Sequence, residues 1–68
     1  MKYTVEFDKE DDGRWIAEVM EISGALVYGN SKDEALAKAE ALTLRVLAER
    51  LENGEKLPEE LSISFKSA

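Results

Sequence analysis

The segment from Asp12 to Leu36, DGRWIAEVMEISGALVYGNSKDEAL, decides the fold of this chain. It opens with an Asp-Gly pair, a combination that is typical of tight hairpin turns. Two short apolar stretches follow, and a run of helix-favouring residues closes the segment. This order predicts strands that precede a helix, so the fold class that we expect is α+β.

The first two predicted strands flank the Asp-Gly turn. Residues 2–8 and 14–20 each alternate apolar and polar side chains, which is typical of half-buried strands. The charged residues 8–13 between them predict a hairpin connection. A register that pairs Phe7 with Trp15 keeps the large apolar side chains on one face of the sheet, and we expect that register.

A third strand and the helix follow. The stretch from Gly24 to Gly29 is short, apolar and bounded by glycine, so it predicts an edge strand. Ser31 and Glu34 have the spacing of a capping box, in which the serine hydroxyl accepts a hydrogen bond from the glutamate N–H. We expect a helix from Lys32 to Asn53 that stops at Gly54.

A fourth strand is predicted after Pro58, which cannot continue a helix. Residues 61–66 alternate apolar and polar side chains again. The core that we expect contains Tyr3, Val5, Phe7, Trp15, Ala17, Val19, Leu36, Ala39, Val46, Leu47 and Ile63.

Length and charge limit the function classes. Sixty-eight residues form a single domain with a thin core, and self-association is a common way to stabilise such a core. The net charge is −6, which disfavours nucleic-acid binding and suits a basic protein partner. A solvated surface that keeps the chain soluble is the alternative explanation of the charge. No apolar run resembles a signal peptide or a membrane span, so we expect a cytoplasmic protein.

The predicted helix is apolar around most of its circumference. One sheet covers only part of a helix, so the remaining apolar positions suggest contact with another subunit. Good helix formers on a solvated surface are the alternative. The oligomer interface that we expect contains Ala37, Ala41, Leu44 and Ala48.

Catalytic chemistry has little support in the sequence. The chain has no histidine and no cysteine, and its serines have capping or strand-surface explanations. Residues 8–13 mimic the start of a calcium loop, but Val19 stands where a bidentate glutamate is needed. We therefore expect no enzyme activity, no metal site and no cofactor.

Two further chemical alternatives are weak. Glu6, Asp8 and Glu40 could imitate nuclease carboxylates, but the fourth strand adds no third acid near them. Tyr3 and Trp15 could stack on RNA, but both fall on the predicted core side and no basic groove accompanies them.

Residues 2–58 resemble the N-terminal domain of the HicB-type antitoxins, the UPF0150-like group. Order and spacing across most of the chain carry this resemblance more than any one motif. The matching pieces are Tyr3-Thr4-Val5, the run from Asp12 to Val19, Gly24, Tyr28-Gly29 and Ser31-x-x-Glu34-Ala35-Leu36. The chain departs from the family at 22–25, where Ile-Ser-Gly-Ala replaces the frequent Leu-Pro-Gly-Cys.

The resemblance implies a partial ribonuclease H-like fold without nuclease activity, with β-β-β-α-β order and a four-stranded sheet in the order 3-2-1-4. It also implies a partner, a small basic HicA-like toxin that cleaves mRNA and that the antitoxin neutralises by direct binding. Full antitoxins carry a C-terminal DNA-binding segment. Too few residues follow Phe65 for one, so we expect a short solo form without DNA binding.

One helix covers one face of the sheet, which leaves the other face open to a partner. Acids around two apolar groups on that face would suit a basic protein. The partner-binding residues that we expect are Thr4, Glu6, Ile16, Glu18 and Met20. The alternative is an orphan, self-assembling domain of this type with no toxin partner.

Overall fold

The structure, a computed structural model, describes residues 1–57 and 61–68. The described residues form one sheet and one helix, with the elements β1 (Lys2–Lys9), β2 (Trp15–Val19), β3 (Leu26–Gly29), α1 (Lys32–Glu52) and β4 (Ser64–Ser67). The sheet order is β3-β2-β1-β4. Strand β1 is antiparallel to β2 and parallel to β4, and β2 is antiparallel to β3. The predicted α+β class, the β-β-β-α-β order and the 3-2-1-4 arrangement are confirmed.

The first hairpin forms with a different register from the expected one. Phe7 pairs with Ala17 and not with Trp15, so our register is wrong by two residues. The turn is shorter than predicted, because the N–H of Glu10 already donates to the carbonyl of Arg14 at 2.7 Å. A shift by two residues leaves every side chain on its predicted face, since side chains alternate with a period of two.

Two residues separate the end of β3 from the start of helix α1. The Ser31 hydroxyl accepts a hydrogen bond from the Glu34 N–H at 3.0 Å, which confirms the predicted N-cap. The helix ends at Glu52 with Asn53 as its C-cap, and Gly54 follows with φ +83°. Pro58, which we expected to prevent a continuation, lies outside the described residues.

The core lies between α1 and the face of the sheet that the helix covers. On the α1 side of the core, the small residues Ala35, Ala39 and Thr43 recur every four positions and are buried. The buried Thr43 hydroxyl donates a hydrogen bond to the Ala39 carbonyl at 2.9 Å. Of the expected core, Tyr3, Val5, Ala17, Val19, Ala39 and Leu47 are buried, and Phe7, Trp15, Leu36, Val46 and Ile63 are half-buried against them. Buried residues that we did not expect are Ile22, Ala25, Ala35 and Thr43.

The fourth strand is shorter than predicted and begins at Ser64. Phe65 places β4 beside β1, because its ring stacks on that of Tyr3 with the centroids 5.7 Å apart. Within residues 1–57 and 61–68, α1 lacks the long apolar stretch that a helix needs to cross a bilayer.

Gly29 offers a test of how closely β3 and α1 approach. A Cβ at this position would lie 2.5 Å from the backbone nitrogen of Ala35 and 2.8 Å from its Cα. Gly29→Ala should therefore destabilise the fold by about 2 kcal/mol and lower the melting temperature by about 10 °C, because backbone atoms cannot move aside.

Gly13→Ala is the matched control for this prediction. A Cβ at Gly13 meets nothing within 4 Å, and only the left-handed backbone (φ +90°) opposes it. We expect a loss of about 1 kcal/mol there. Equal losses in the two variants would contradict a close strand–helix contact at Gly29. Thermal unfolding followed by circular dichroism measures both.

Candidate protein-binding site

The face of the sheet opposite α1 is not covered by any element among the described residues. Strand pairing arranges its side chains in rows that run across β3, β2 and β1. One row is Leu26–Glu18–Glu6, and the next is Tyr28–Ile16–Asp8. We call this surface the open sheet face. A shallow depression of about 450 Å³ on it is lined by Glu6, Phe7, Asp8, Ile16, Glu18, Leu26 and Ala68.

All five predicted partner-binding residues lie on the open sheet face. Glu6 and Glu18 are directly opposite each other, and Ile16 lies in the neighbouring row. Met20 follows the end of β2, and its N–H donates to the Thr4 carbonyl at 2.9 Å. Hydrogen bonding thus continues one residue past β2 and brings Met20 beside Thr4.

Three carboxylates lie in two neighbouring rows of this face. Glu6, Glu18 and Asp8 are all exposed, and like charges directly opposite in an antiparallel pair destabilise it. Among residues 1–57 and 61–68, neither Glu6 nor Glu18 forms an ion pair. The centre of the face is therefore strongly acidic.

Apolar groups border these carboxylates on two sides. Ile16 is half-buried, and Met20, Leu26 and Tyr28 expose between 42% and 48% of their surface. Tyr28 also carries the guanidinium of Arg14 over its ring, 4.8 Å from the centroid. A partner that covers this face would bury the apolar area of these residues and would also contact the three carboxylates.

The edge of the open sheet face that lies along β4 is basic. Thr4 pairs with Lys66, and Lys2 pairs with Ser64 one step further along β1 and β4. Acids at the centre and lysines at one edge give the open sheet face a polarity that can orient a partner.

The predicted site residues do not include Asp8, Leu26 and Tyr28, nor the two lysines at the edge of this face. Alternation along β1 already assigned Asp8 to this side, so the signal for it was present. Leu26 and Tyr28 belong to a strand that is apolar on both faces, and only its pairing with β2 shows which side chains join the site.

Glu21 has a structural role next to the site. Its carboxylate accepts a hydrogen bond from the Thr4 N–H at 2.7 Å, and this bond lowers the pKa of the Glu21 carboxyl. The Glu21 carboxylate takes the place of a backbone carbonyl as the acceptor where the hydrogen bonds between β1 and β2 end. Glu21 therefore joins the turn after β2 to β1, close to Met20.

The hairpin tip is held by an ion pair. Asp12 accepts hydrogen bonds from the Arg14 N–H at 3.0 Å and from the Arg14 Nε at 2.8 Å. Both interactions lower the pKa of the Asp12 carboxyl, with the backbone hydrogen bond as the largest cause. The segment that mimics a calcium loop is thus a charged hairpin turn, as we expected. No cluster of metal-binding side chains occurs among the described residues.

The predicted oligomer-interface residues lie on the outer side of α1. Ala37, Leu44 and Ala48 are exposed, and Ala41 is half-buried. Ala37 and Ala41 also line a groove of about 430 Å³ between α1 and the edge strand β3, together with Val27 and Leu42.

Comparison of the chain with protein-family models, with curated proteins and with solved structures gives no match in any of the three.

The Glu21–Thr4 hydrogen bond predicts a pH-dependent contribution to stability. Because folding lowers the pKa of Glu21 below its ordinary 4.5, the contribution is present above that value and is lost as the pH falls through the folded pKa. Glu21→Gln should lower the melting temperature by a few degrees at neutral pH and by clearly less at about pH 3.

Glu55→Gln is the control for this measurement, because Glu55 is an exposed acid outside the sheet. It should leave the melting temperature unchanged at either pH. A Glu21→Gln effect of the same size at both pH values would contradict a role for the Glu21 charge.

Proposed function

We propose that this protein is a binding module that captures a small basic protein on its open sheet face, as a HicB-type antitoxin captures a HicA-like, mRNA-cleaving toxin. The observation that carries the proposal is the group of three exposed carboxylates beside half-exposed apolar side chains on a sheet face that α1 leaves uncovered. The placement that we propose is cytoplasmic, where mRNA is available to such a toxin.

The chemistry of the face favours a cationic partner. Glu6 and Glu18 repel each other in the free chain, so a cation placed between them relieves an unfavourable interaction and gains two favourable ones. An arginine is especially suitable, because its planar fork can bind carboxylates in a bidentate geometry. A single basic side chain can therefore dock at the centre of the depression.

Apolar contact supplies the rest of the binding free energy. Ile16, Leu26 and Met20 offer partly exposed surface next to the acids, and its burial excludes water from the charged contacts. The acids steer the encounter and fix the orientation of the partner. The lysines at the β4 edge repel basic groups of the partner, so they disfavour orientations that place such groups there.

The antitoxin class is supported by the residues that resemble the family and by the sheet order that the family implies. Inhibition by masking requires a surface that covers the toxin, and it requires no catalytic group on the antitoxin. The open sheet face meets that requirement with its acids and its apolar border.

Charge reversal on the open sheet face tests the proposal. Tagged wild-type chain should recover a small basic protein in near-equal amount from its host's lysate. Glu6→Lys combined with Glu18→Lys should weaken that capture about 100-fold, because two attractive contacts become repulsive. The captured protein should cleave mRNA once it is separated from the chain, and adding the chain back should stop the cleavage.

Glu49→Lys combined with Glu55→Lys is the matched control. Both residues are exposed acids away from the sheet, so the charge change is the same and capture should be retained. Equal capture by the open-face variant and the control would contradict the assigned surface. Recovery of the chain alone would favour the orphan, self-assembling domain.

A further inference from the structure

The outer side of α1 carries five apolar residues at regular spacing. Successive members are separated by four, three, four and three positions, and the two leucines expose 50% and 51% of their surface. We call this set the outer seam. It consists of Ala37, Ala41, Leu44, Ala48 and Leu51.

Alternating steps of four and three give an average repeat of 3.5 residues, which is the spacing of a helix that pairs with another helix. The sheet does not use these five residues, because the positions of α1 that are buried against it are Ala35, Ala39, Thr43 and Leu47, with Leu36, Leu42 and Val46 packed beside them. We propose that the outer seam pairs with the same seam of a second copy of this chain, with the two helices antiparallel.

Side-chain volume favours the antiparallel orientation. With the twofold axis crossing the seam at the level of residue 46, Ala41 lies against Leu51 of the second copy, and Leu44 lies against Ala48 of the second copy. Each of the four layers then contains one alanine and one leucine, so the helix separation is uniform. A parallel pair would stack alanine on alanine and leucine on leucine, and the leucine layers would hold the alanine layers apart.

Charge and packing select the register within the antiparallel pair. In the register described, Lys38 lies beside Glu52 of the second copy, and the twofold axis repeats this contact. Sliding one helix by a heptad in one direction would place Lys38 beside Arg45 of the second copy, twice, so charge excludes that shift. Sliding it in the other direction would leave only two of the four layers, so packing excludes that one. The first register keeps one unfavourable contact, between the two copies of Arg45 at the axis, where exposed and flexible side chains can diverge.

The parallel orientation has its own favourable charges, because Glu40 would lie beside Arg45 of the second copy. Exposed ion pairs contribute only a few tenths of a kcal/mol each, whereas an unfilled layer loses more packing free energy. Packing therefore decides the orientation, and charge and packing together decide the register. The four layers span about 15 Å, which is short, so we expect a weak dimer with a dissociation constant of about 100 μM.

The inference concerns α1 alone and does not depend on the proposed function of the open sheet face. Sedimentation equilibrium of the full chain, from about 10 μM to about 1 mM, should show a monomer–dimer equilibrium. Leu44→Glu should leave a monomer throughout this range, because it places a charge in two layers. Leu44 is half exposed in the single chain, so the variant should still fold, which circular dichroism checks.

A charge exchange tests the register. Lys38→Glu and Glu52→Lys should each weaken the dimer about tenfold, and the two changes together should restore it. The matched control is Lys56→Glu combined with Glu49→Lys, which alters the same charges on exposed residues outside the seam and should change nothing.

Three results would overturn the proposal. One is a wild-type chain that stays monomeric at about 1 mM, and another is a dimer that survives Leu44→Glu. The third is a dimer weakened by Glu40→Lys and unaffected by Glu52→Lys, which would indicate parallel helices. Glu6→Lys combined with Glu18→Lys should leave the dimer intact, so a failure of the seam and a failure of the open sheet face give different results.

Discussion

The close approach of Gly29 to Ala35 is the constraint on which the rest of the structure depends. Only two residues separate the last residue of β3 from the first residue of α1, so the helix must turn back over the sheet at once. It can do so because Gly29 has no side chain where the Ala35 backbone lies. This contact places α1 over β2 and β3, and it determines which sheet face is covered and which side of the helix points outward.

Small residues continue this close contact along the helix. Val5, Val19 and Thr43 are the largest side chains that are fully buried, and the large residues Tyr3, Leu47 and Ile22 keep only a small exposed fraction. A 68-residue chain with such a core has little stability to spare. Both surfaces proposed for binding carry half-exposed apolar groups, and their burial in a complex would add to the stability of the folded chain.

The sequence predicted the sheet face on which each side chain lies better than it predicted the pairing of residues between strands. Alternation correctly placed Val5 and Val19 in the core and Glu6 and Glu18 outside it, and these assignments hold in spite of the two-residue error in register. The alternation of apolar and polar residues does not indicate at which residues a turn closes. In this chain the turn closes at the hydrogen bond between the Glu10 N–H and the Arg14 carbonyl. Ser31 predicted the helix start correctly because a capping residue acts locally.

Turns and doubly apolar strands account for the residues that sequence reasoning missed. Ile22 and Ala25 are buried because the turn after β2 folds back on the core, with the Ile22 N–H donating to the Val19 carbonyl at 3.1 Å. No local pattern distinguishes such a turn from an exposed one. Leu26 joins the open sheet face only through its pairing with Glu18, which depends on that same turn.

The acids of this chain divide into two groups with different physical roles. Asp12, Glu21 and Glu34 each hold a specific partner, and hydrogen bonds lower the pKa of each carboxyl. Within the described residues, Glu6 and Glu18 form no ion pair and face each other across the β1–β2 pair. Because their repulsion opposes folding, a role in solubility or in binding accounts for them better than the fold does. A cation supplied by another protein would turn that repulsion into attraction, and this is why we propose binding on the open sheet face.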